Sequence, residues 1–187
     1  MNAPFEMKLD KAAFNRWLDA QERKYEWKEG RVVQMTNVSR GHARIVANVL
    51  RALSARLDLN QWLVTVSDFG VEDETWVRFP DLIVEPENSD NQGRRALDPI
   101  ILVEVLSPSS VGTGFTEKLG EYLSLASLEA YLIASQDEPI CWVWQRQENG
   151  AFPGKPEEIA GREATLELKA RAIALPLAEI YHGIGQS

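Results

Sequence analysis

The chain has one cysteine, Cys141, in 187 residues, so it can form no internal disulfide and carries no cysteine metal cluster. Its two histidines, His42 and His182, are far apart, which excludes a His-x-x-x-His zinc site. Basic residues are outnumbered, with 20 Lys+Arg against 28 Asp+Glu and a net charge of −8. A protein that coats nucleic acid through overall charge is thereby excluded, although a local basic groove is not. No apolar run approaches the ~18–20 residues of a membrane span. Met1–Glu6 lacks the basic and apolar regions of a secretion signal, which points to a soluble cytoplasmic protein. No stretch rich in Pro, Gly or Ser divides the chain, and no repeat is visible, so residues 1–187 read as one domain.

The remaining composition is that of a globular protein, with 44% hydrophobic and 26% charged residues. Leu9–Ala20 reads as a short helix. Tyr25–Trp27 and Arg31–Met35 flank Glu29-Gly30 in a hairpin pattern. Ser39 is a good N-cap for a helix whose stripe is Ile45, Val46, Val49, Leu50, Leu53 and Leu57. Strands are predicted at 62–66, 69–72, 76–79, 82–84, 100–106, 130–134 and 140–145. A helix is expected at 117–127, a weak strand near Leu166 and a short helix at 177–181. Helices and strands interleave, which predicts an α/β (α+β) fold built on one mixed sheet with helices packed on it.

Three side chains sit oddly in this pattern. Glu104 interrupts the apolar strand Ile101-Leu102-Val103-Glu104-Val105-Leu106, on the face of Leu102 and Leu106. A glutamate in such a place is ordinarily paired or bound to metal, and a structural salt bridge is the competing explanation. Asp81 opens the strand Leu82-Ile83-Val84 directly after Pro80, where ordinary turn chemistry is the alternative. Lys118 lies at the edge of the Leu119/Tyr122/Leu123/Ala126 stripe, from which it reaches inward or else into solvent. Two carboxylates on neighbouring strands suit a hard cation such as Mg²⁺, and a nearby ammonium suits charge growing on phosphate. Together these are the minimal parts for phosphodiester hydrolysis.

Pro80-Asp81 followed by Glu104 in an apolar strand resembles the PD-(D/E)xK nuclease superfamily. The closer resemblance is to its Uma-type family of restriction endonucleases. It is carried by Tyr25-Glu26 before Glu29-Gly30-Arg31-Val32, Gly41-His42, Pro80–Val84, Leu102–Ser110, Glu117-Lys118-Leu119 with Tyr122, and Leu175–Tyr181, spanning roughly residues 20–182. The resemblance implies a restriction-endonuclease-like mixed central sheet flanked by helices, with an N-terminal hairpin. It implies a Mg²⁺- (or Mn²⁺-) dependent DNA endonuclease, with Asp81, Glu104 and Lys118 catalytic. Asp81, Glu104 and Glu26 would hold the metal, while His42, Arg44 and Tyr122 would contact substrate. DNA is the implied partner, and a homodimer would gather basic patches formed by Arg40, Arg44 and Arg51, or by Arg94-Arg95.

The sequence also departs from the family pattern. Leu106 stands where the superfamily lysine belongs, the lysine having moved to the following helix as Lys118. Gly114 and Ser135 replace two acids common in the family. The alternative is therefore a catalytically degenerate nuclease fold that binds DNA or a protein. Ser107–Gly114 resembles a phosphate-cradling loop but lacks the G-x-x-x-x-G-K-[ST] spacing. Trp27, Trp62 and Trp76 are candidates for base stacking, and Cys141 reads as core.

Overall fold

The computed structural model describes residues 7–35, 38–66, 69–88, 92–106 and 113–185. Most of the loop at 107–114 therefore lies outside the described residues, including Ser107–Ser110 of the most distinctive motif.

Helix α1 (Lys11–Leu18) starts at Asp10, whose side chain accepts from Ala13 N. Strands β2 (Tyr25–Lys28) and β3 (Arg31–Gln34) form the expected hairpin, with Glu29 (φ 45°) and Gly30 (φ 88°) both left-handed at its turn. With β1 (Met7–Lys8), β5 (Val71–Glu72) and β6 (Trp76–Arg78) they make a five-stranded antiparallel sheet, in the order β1-β3-β2-β6-β5. Helix α2 (Arg40–Ser54) is capped by Ser39, whose hydroxyl accepts from His42 N.

The second sheet has six strands in the order β11-β10-β9-β8-β7-β4. They are β4 (Trp62–Val66), β7 (Leu82–Pro86), β8 (Ile101–Leu106), β9 (Ala130–Ser135), β10 (Ile140–Gln145) and β11 (Glu157–Ala160). Strands β8 and β9 are parallel and joined by helix α3 (Thr113–Leu123), while every other neighbouring pair is antiparallel. A hairpin of β12 (Thr165–Leu168) and β13 (Ile173–Pro176), followed by helix α4 (Leu177–Ile180), closes the fold.

The expected single mixed sheet is thus corrected. The N-terminal hairpin belongs to a separate sheet, because β2 pairs with β6 and not with the central strands. Alternation along the strands then sets three apolar layers. Leu82, Val84, Val103, Val105, Leu132 and Val143 face α2 and the C-terminal hairpin. Ile83, Leu102, Tyr131, Ile133 and Trp144 face α3 and, beyond it, Val71 and Trp76 of the first sheet. Phe14, Tyr25, Trp27, Val32 and Val77 join α1 to the outer face of that sheet. The polar residues of the candidate site share the middle layer, between the two sheets.

Candidate active site

Asp81 and Glu104 enter this layer from adjacent antiparallel strands. Leu82 pairs with Val103, so one step back along the register places Asp81 beside Glu104. Val105 N donates to Asp81 Oδ2 at 2.8 Å, fixing the carboxylate across the strand pair. His42 Nε2 lies 3.0 Å from Asp81 Oδ1, and an ionised carboxylate can only accept, so the imidazole donates. The Ser39 cap fixes the first turn of α2 and so directs His42 to Asp81.

Glu104 is buried and its Oε1 meets two donors. The Tyr122 hydroxyl donates at 3.1 Å and Lys118 Nζ at 3.4 Å. Lys118 also donates to Glu26 Oε1 at 2.7 Å. The lysine thus reaches inward from α3, between the acid of the large sheet and the acid of the hairpin. Asp81 and Lys118 keep 18% and 23% side-chain exposure, so solvent reaches the cluster from their side.

The electrostatics follow from burial. Loss of water pushes the Glu104 carboxyl up to about 7; Lys118 works against this, and the charges of Asp81 and Glu26 add to it. The Lys118 ammonium is also desolvated, but Glu104 and Glu26 outweigh that and hold it above its ordinary value. Burial, with the charges of Glu104 and Glu26, likewise raises the Tyr122 hydroxyl, keeping it a proton donor to Glu104. A buried carboxyl that resists ionisation while beside two other acids is a place where a cation is welcome.

The oxygen-only pair Asp81/Glu104 fits a hard divalent ion, since Mg²⁺ commonly takes one or two carboxylates and fills its shell with water and substrate oxygens. Among the described residues no group of three or more His, Cys, Asp or Glu side chains forms a fuller ligand set.

A model of the family described as "Uma2: Putative restriction endonuclease" matches residues 12–178. The chain belongs to the Uma2 family. Two uncharacterized proteins of Synechocystis sp. are similar to it. One, sll1609, is 29% identical over 151 residues, covering 77% of this chain and 83% of that protein. The other, slr1290, is 24% identical over 186 residues, covering 98% and 96%. A crystal structure from Anabaena variabilis, described as a putative nuclease belonging to DUF820, shares the fold. Its TM-score is 0.75 at 16% identity, covering 92% of this chain and 97% of that one.

Within this Uma2 chain the structure brings together Asp81, Glu104, Lys118, Glu26, His42 and Tyr122. Several expectations need correction. Arg44 does not join them, since its guanidinium donates to Gly183 O at 2.7 Å. That contact requires glycine at 183, where φ is 74° and a Cβ would lie 2.7 Å from Arg44 NH1. Tyr122 is completely buried, so it orients Glu104 and cannot touch substrate. Both Glu26 oxygens are occupied by cations, Lys118 on one and Arg78 on the other.

The expected arginine patches are largely tied up. Arg51 donates to Asn48, Arg94 pairs with Asp19, and Arg95 pairs with Glu72 and donates to Asn15. Trp27 and Trp76 are buried, and Trp62 is covered by the Arg171 guanidinium, so none presents a free stacking face. Cys141 is core as read, its thiol pushed up to about 12 by burial. Ser135 ends β9, where its hydroxyl accepts from Asp137 N and Glu138 N in place of an acid's role.

Sequence reasoning missed Arg78, Glu121 and Glu85. Arg78 interrupts the apolar run Trp76-Val77-Arg78-Phe79 just as Glu104 interrupts its own strand, and that signal was available. Glu85 is buried at the far end of β7; its Oε2 accepts from Leu97 N, and its Oε1 has no hydrogen-bond partner among the described residues.

Proposed function

We propose that the protein is a divalent-metal-dependent DNA endonuclease that hydrolyses phosphodiester bonds at the Asp81/Glu104/Lys118 cluster. The observation carrying this reading is the convergence of Lys118 on Glu104 from the helix that follows its strand, with Asp81 beside them. Asp81 and Glu104 are the residues that would hold Mg²⁺ or Mn²⁺. When bound, that ion supplies a Lewis acid for a phosphate oxygen and eases deprotonation of the attacking water.

The chain's own groups do the rest. Lys118 places a fixed positive charge where negative charge grows on the phosphorus-bound oxygens. His42 holds Asp81 in its rotamer through Nε2. Tyr122 holds Glu104 from below while its ring keeps bulk water out. Glu26 holds Lys118, and in this arrangement it acts on the lysine and not as a third metal ligand.

For the DNA backbone, a cleft of about 510 Å³ at the end of α1 is lined by Arg23 and Lys24 and by Arg94 and Arg95, the last two already paired with Asp19 and Glu72 and so exchanging those partners for phosphate. This is a locally positive surface on an acidic protein, which phosphate binding requires. A two-fold dimer, the commonest closed assembly, would present two such clefts to one duplex.

Nicking of supercoiled plasmid tests the reading. Wild-type protein with Mg²⁺ or Mn²⁺ is expected to nick, and Asp81→Ala and Glu104→Ala to abolish nicking. Absence of cleavage in either metal by pure, folded protein would favour the degenerate binder suggested by Gly114 and Ser135.

A further inference from the structure

Beneath Lys118 lies a second set of charges. Arg78, on β6 of the five-stranded sheet, is 5% exposed. Its Nε and NH2 donate to the two oxygens of Glu121 on α3, at 2.7 and 3.1 Å. Its NH1 donates to Glu26 Oε2 on β2, at 3.1 Å. Glu26 Oε1 in turn accepts from Lys118, one helical turn before Glu121. Lys28 Nζ, also on β2, lies 2.9 Å from Glu121 Oε1. Acids and bases therefore alternate from Lys28 through Glu121, Arg78 and Glu26 to Lys118 and Glu104.

The pairing is specific to a guanidinium. One planar group serves a bidentate carboxylate on the helix and a second carboxylate on the neighbouring strand; an ammonium can bridge two carboxylates, as Lys118 does, but lacks the parallel fork that meets both oxygens of one. Buried charges of this kind are costly unless fully paired, so the arrangement leaves each member little freedom.

We propose that Arg78 is the positioning residue for Lys118: by gripping Glu121 and Glu26 together it fixes the carboxylate that sets where the lysine ammonium stands. This rests on the reading of Lys118 as the cation of the nuclease site. Arg78 touches neither substrate nor metal carboxylates in this arrangement. It acts through Glu26, and it ties the helix bearing Lys118 to the sheet bearing Glu26. Burial disfavours the guanidinium's charge, while the Glu121 hydrogen bonds and the Glu26 charge more than compensate, so the clamp is charged at every working pH.

The test reads the position of Lys118 directly. In full-length protein, crystal structures of wild type, Arg78→Gln and Arg78→Lys are compared without metal or DNA, the readout being the distances from Lys118 Nζ to Glu26 Oε1 and Glu104 Oε1, 2.7 and 3.4 Å here. With the clamp gone in Arg78→Gln, the Glu26 carboxylate loses its second cation and moves, and the ammonium is expected to leave hydrogen-bond reach of Glu104. In Arg78→Lys the charge remains without the planar fork, so a smaller displacement in the same direction is expected.

A lysine standing unmoved in folded Arg78→Lys overturns the proposal, because charge alone then suffices. If Arg78→Gln does not fold, Arg78→Lys decides the matter. In cleavage assays the same variants should lower kcat with little change in KM. The structural readout is independent of activity. A displaced lysine in a protein that cleaves nothing refutes the nuclease reading and keeps the clamp. Cleavage that depends on Asp81 and Glu104, with no displacement, does the reverse.

Discussion

Replacing Glu104 by glutamine removes one titration and keeps the shape of the side chain. In the folded protein the Glu104 carboxyl holds its proton up to about 7, against an ordinary value of 4.5. Between those values the folded state binds more protons than the unfolded chain, so stability falls as pH rises through this window and levels off above it. The span corresponds to about 3 kcal/mol. Glutamine does not titrate, so the Glu104→Gln variant lacks this fall. The attraction between ionised Glu104 and Lys118 grows as the carboxyl ionises and is already contained in the Glu104 midpoint, which would stand higher without it. Melting curves for both proteins between pH 4.5 and 8, in metal-free buffer, are therefore expected to diverge in slope. The wild type should lose, relative to the variant, roughly 6–12 °C across the range, at about 2–4 °C per kcal/mol for a chain of this size. Adding millimolar Mg²⁺ at pH 8 should restore much of the difference in wild type only, as a ligand that binds the folded state stabilises it by mass action. Parallel melting profiles with and without the carboxyl would refute the reasoning, since Glu104 would then ionise as readily folded as unfolded.

Tyr122→Phe removes the hydroxyl that donates to Glu104; it should cost about 1–3 kcal/mol in urea denaturation above pH 7 and less below pH 5, where the protonated acid needs that donor less. Asn48→Ala leaves the Ile180 and His182 carbonyls without the Nδ2 donor that reaches them at 2.9 and 3.0 Å. A cost of about 2 kcal/mol, seen as a fall of roughly 4–8 °C in melting temperature, is expected, with plasmid nicking at 20 °C unchanged. Charge reversal at Arg23, Lys24 or Arg94 should weaken DNA binding and flatten its salt dependence by about 0.9 in log–log slope for each phosphate no longer neutralised. Unchanged slopes in fluorescence-anisotropy titrations would move the DNA away from that cleft.

Much of the fold was legible locally. The α2 stripe, its Ser39 cap and the Glu29-Gly30 turn are written in neighbouring residues, and each element formed where read. Strands β11 and β13 were not foreseen, because Glu157-Glu158-Ile159-Ala160 has one large apolar residue and gains its place only by pairing with β10. The separation into two sheets was invisible for a related reason: the pairing of Trp27 with Val77 joins segments far apart in sequence, and no local pattern encodes it. Helix α3 begins at Thr113 and not at 117, within a stretch whose Gly and Thr residues read as loop.

At the site, the misplaced charge in an apolar strand was the productive signal. It found Glu104, and Lys118 at the stripe edge turned inward as its angular position allowed. The same signal was overlooked for Arg78, since its strand is three residues long and offers little apolar context. Tyr122 belongs to the hydrophobic stripe in sequence and to the carboxylate in space. Nothing in residue spacing distinguishes a buried ring whose hydroxyl points at an acid from one that does not.

The parallel pairing of β8 with β9 obliges the chain to cross over through α3, and that crossover lies between the two sheets. Glu104 and Lys118 come from the crossover unit, while Glu26 and Arg78 come from the other sheet. The charged cluster is therefore also the mortise joining the halves of the molecule. Loosening this joint is expected to misalign the lysine before either sheet loses its own hydrogen bonds. Under gradual heating or mild denaturant, the nicking proposed for this site should vanish ahead of the circular-dichroism transition, and so report the seating of one sheet on the other.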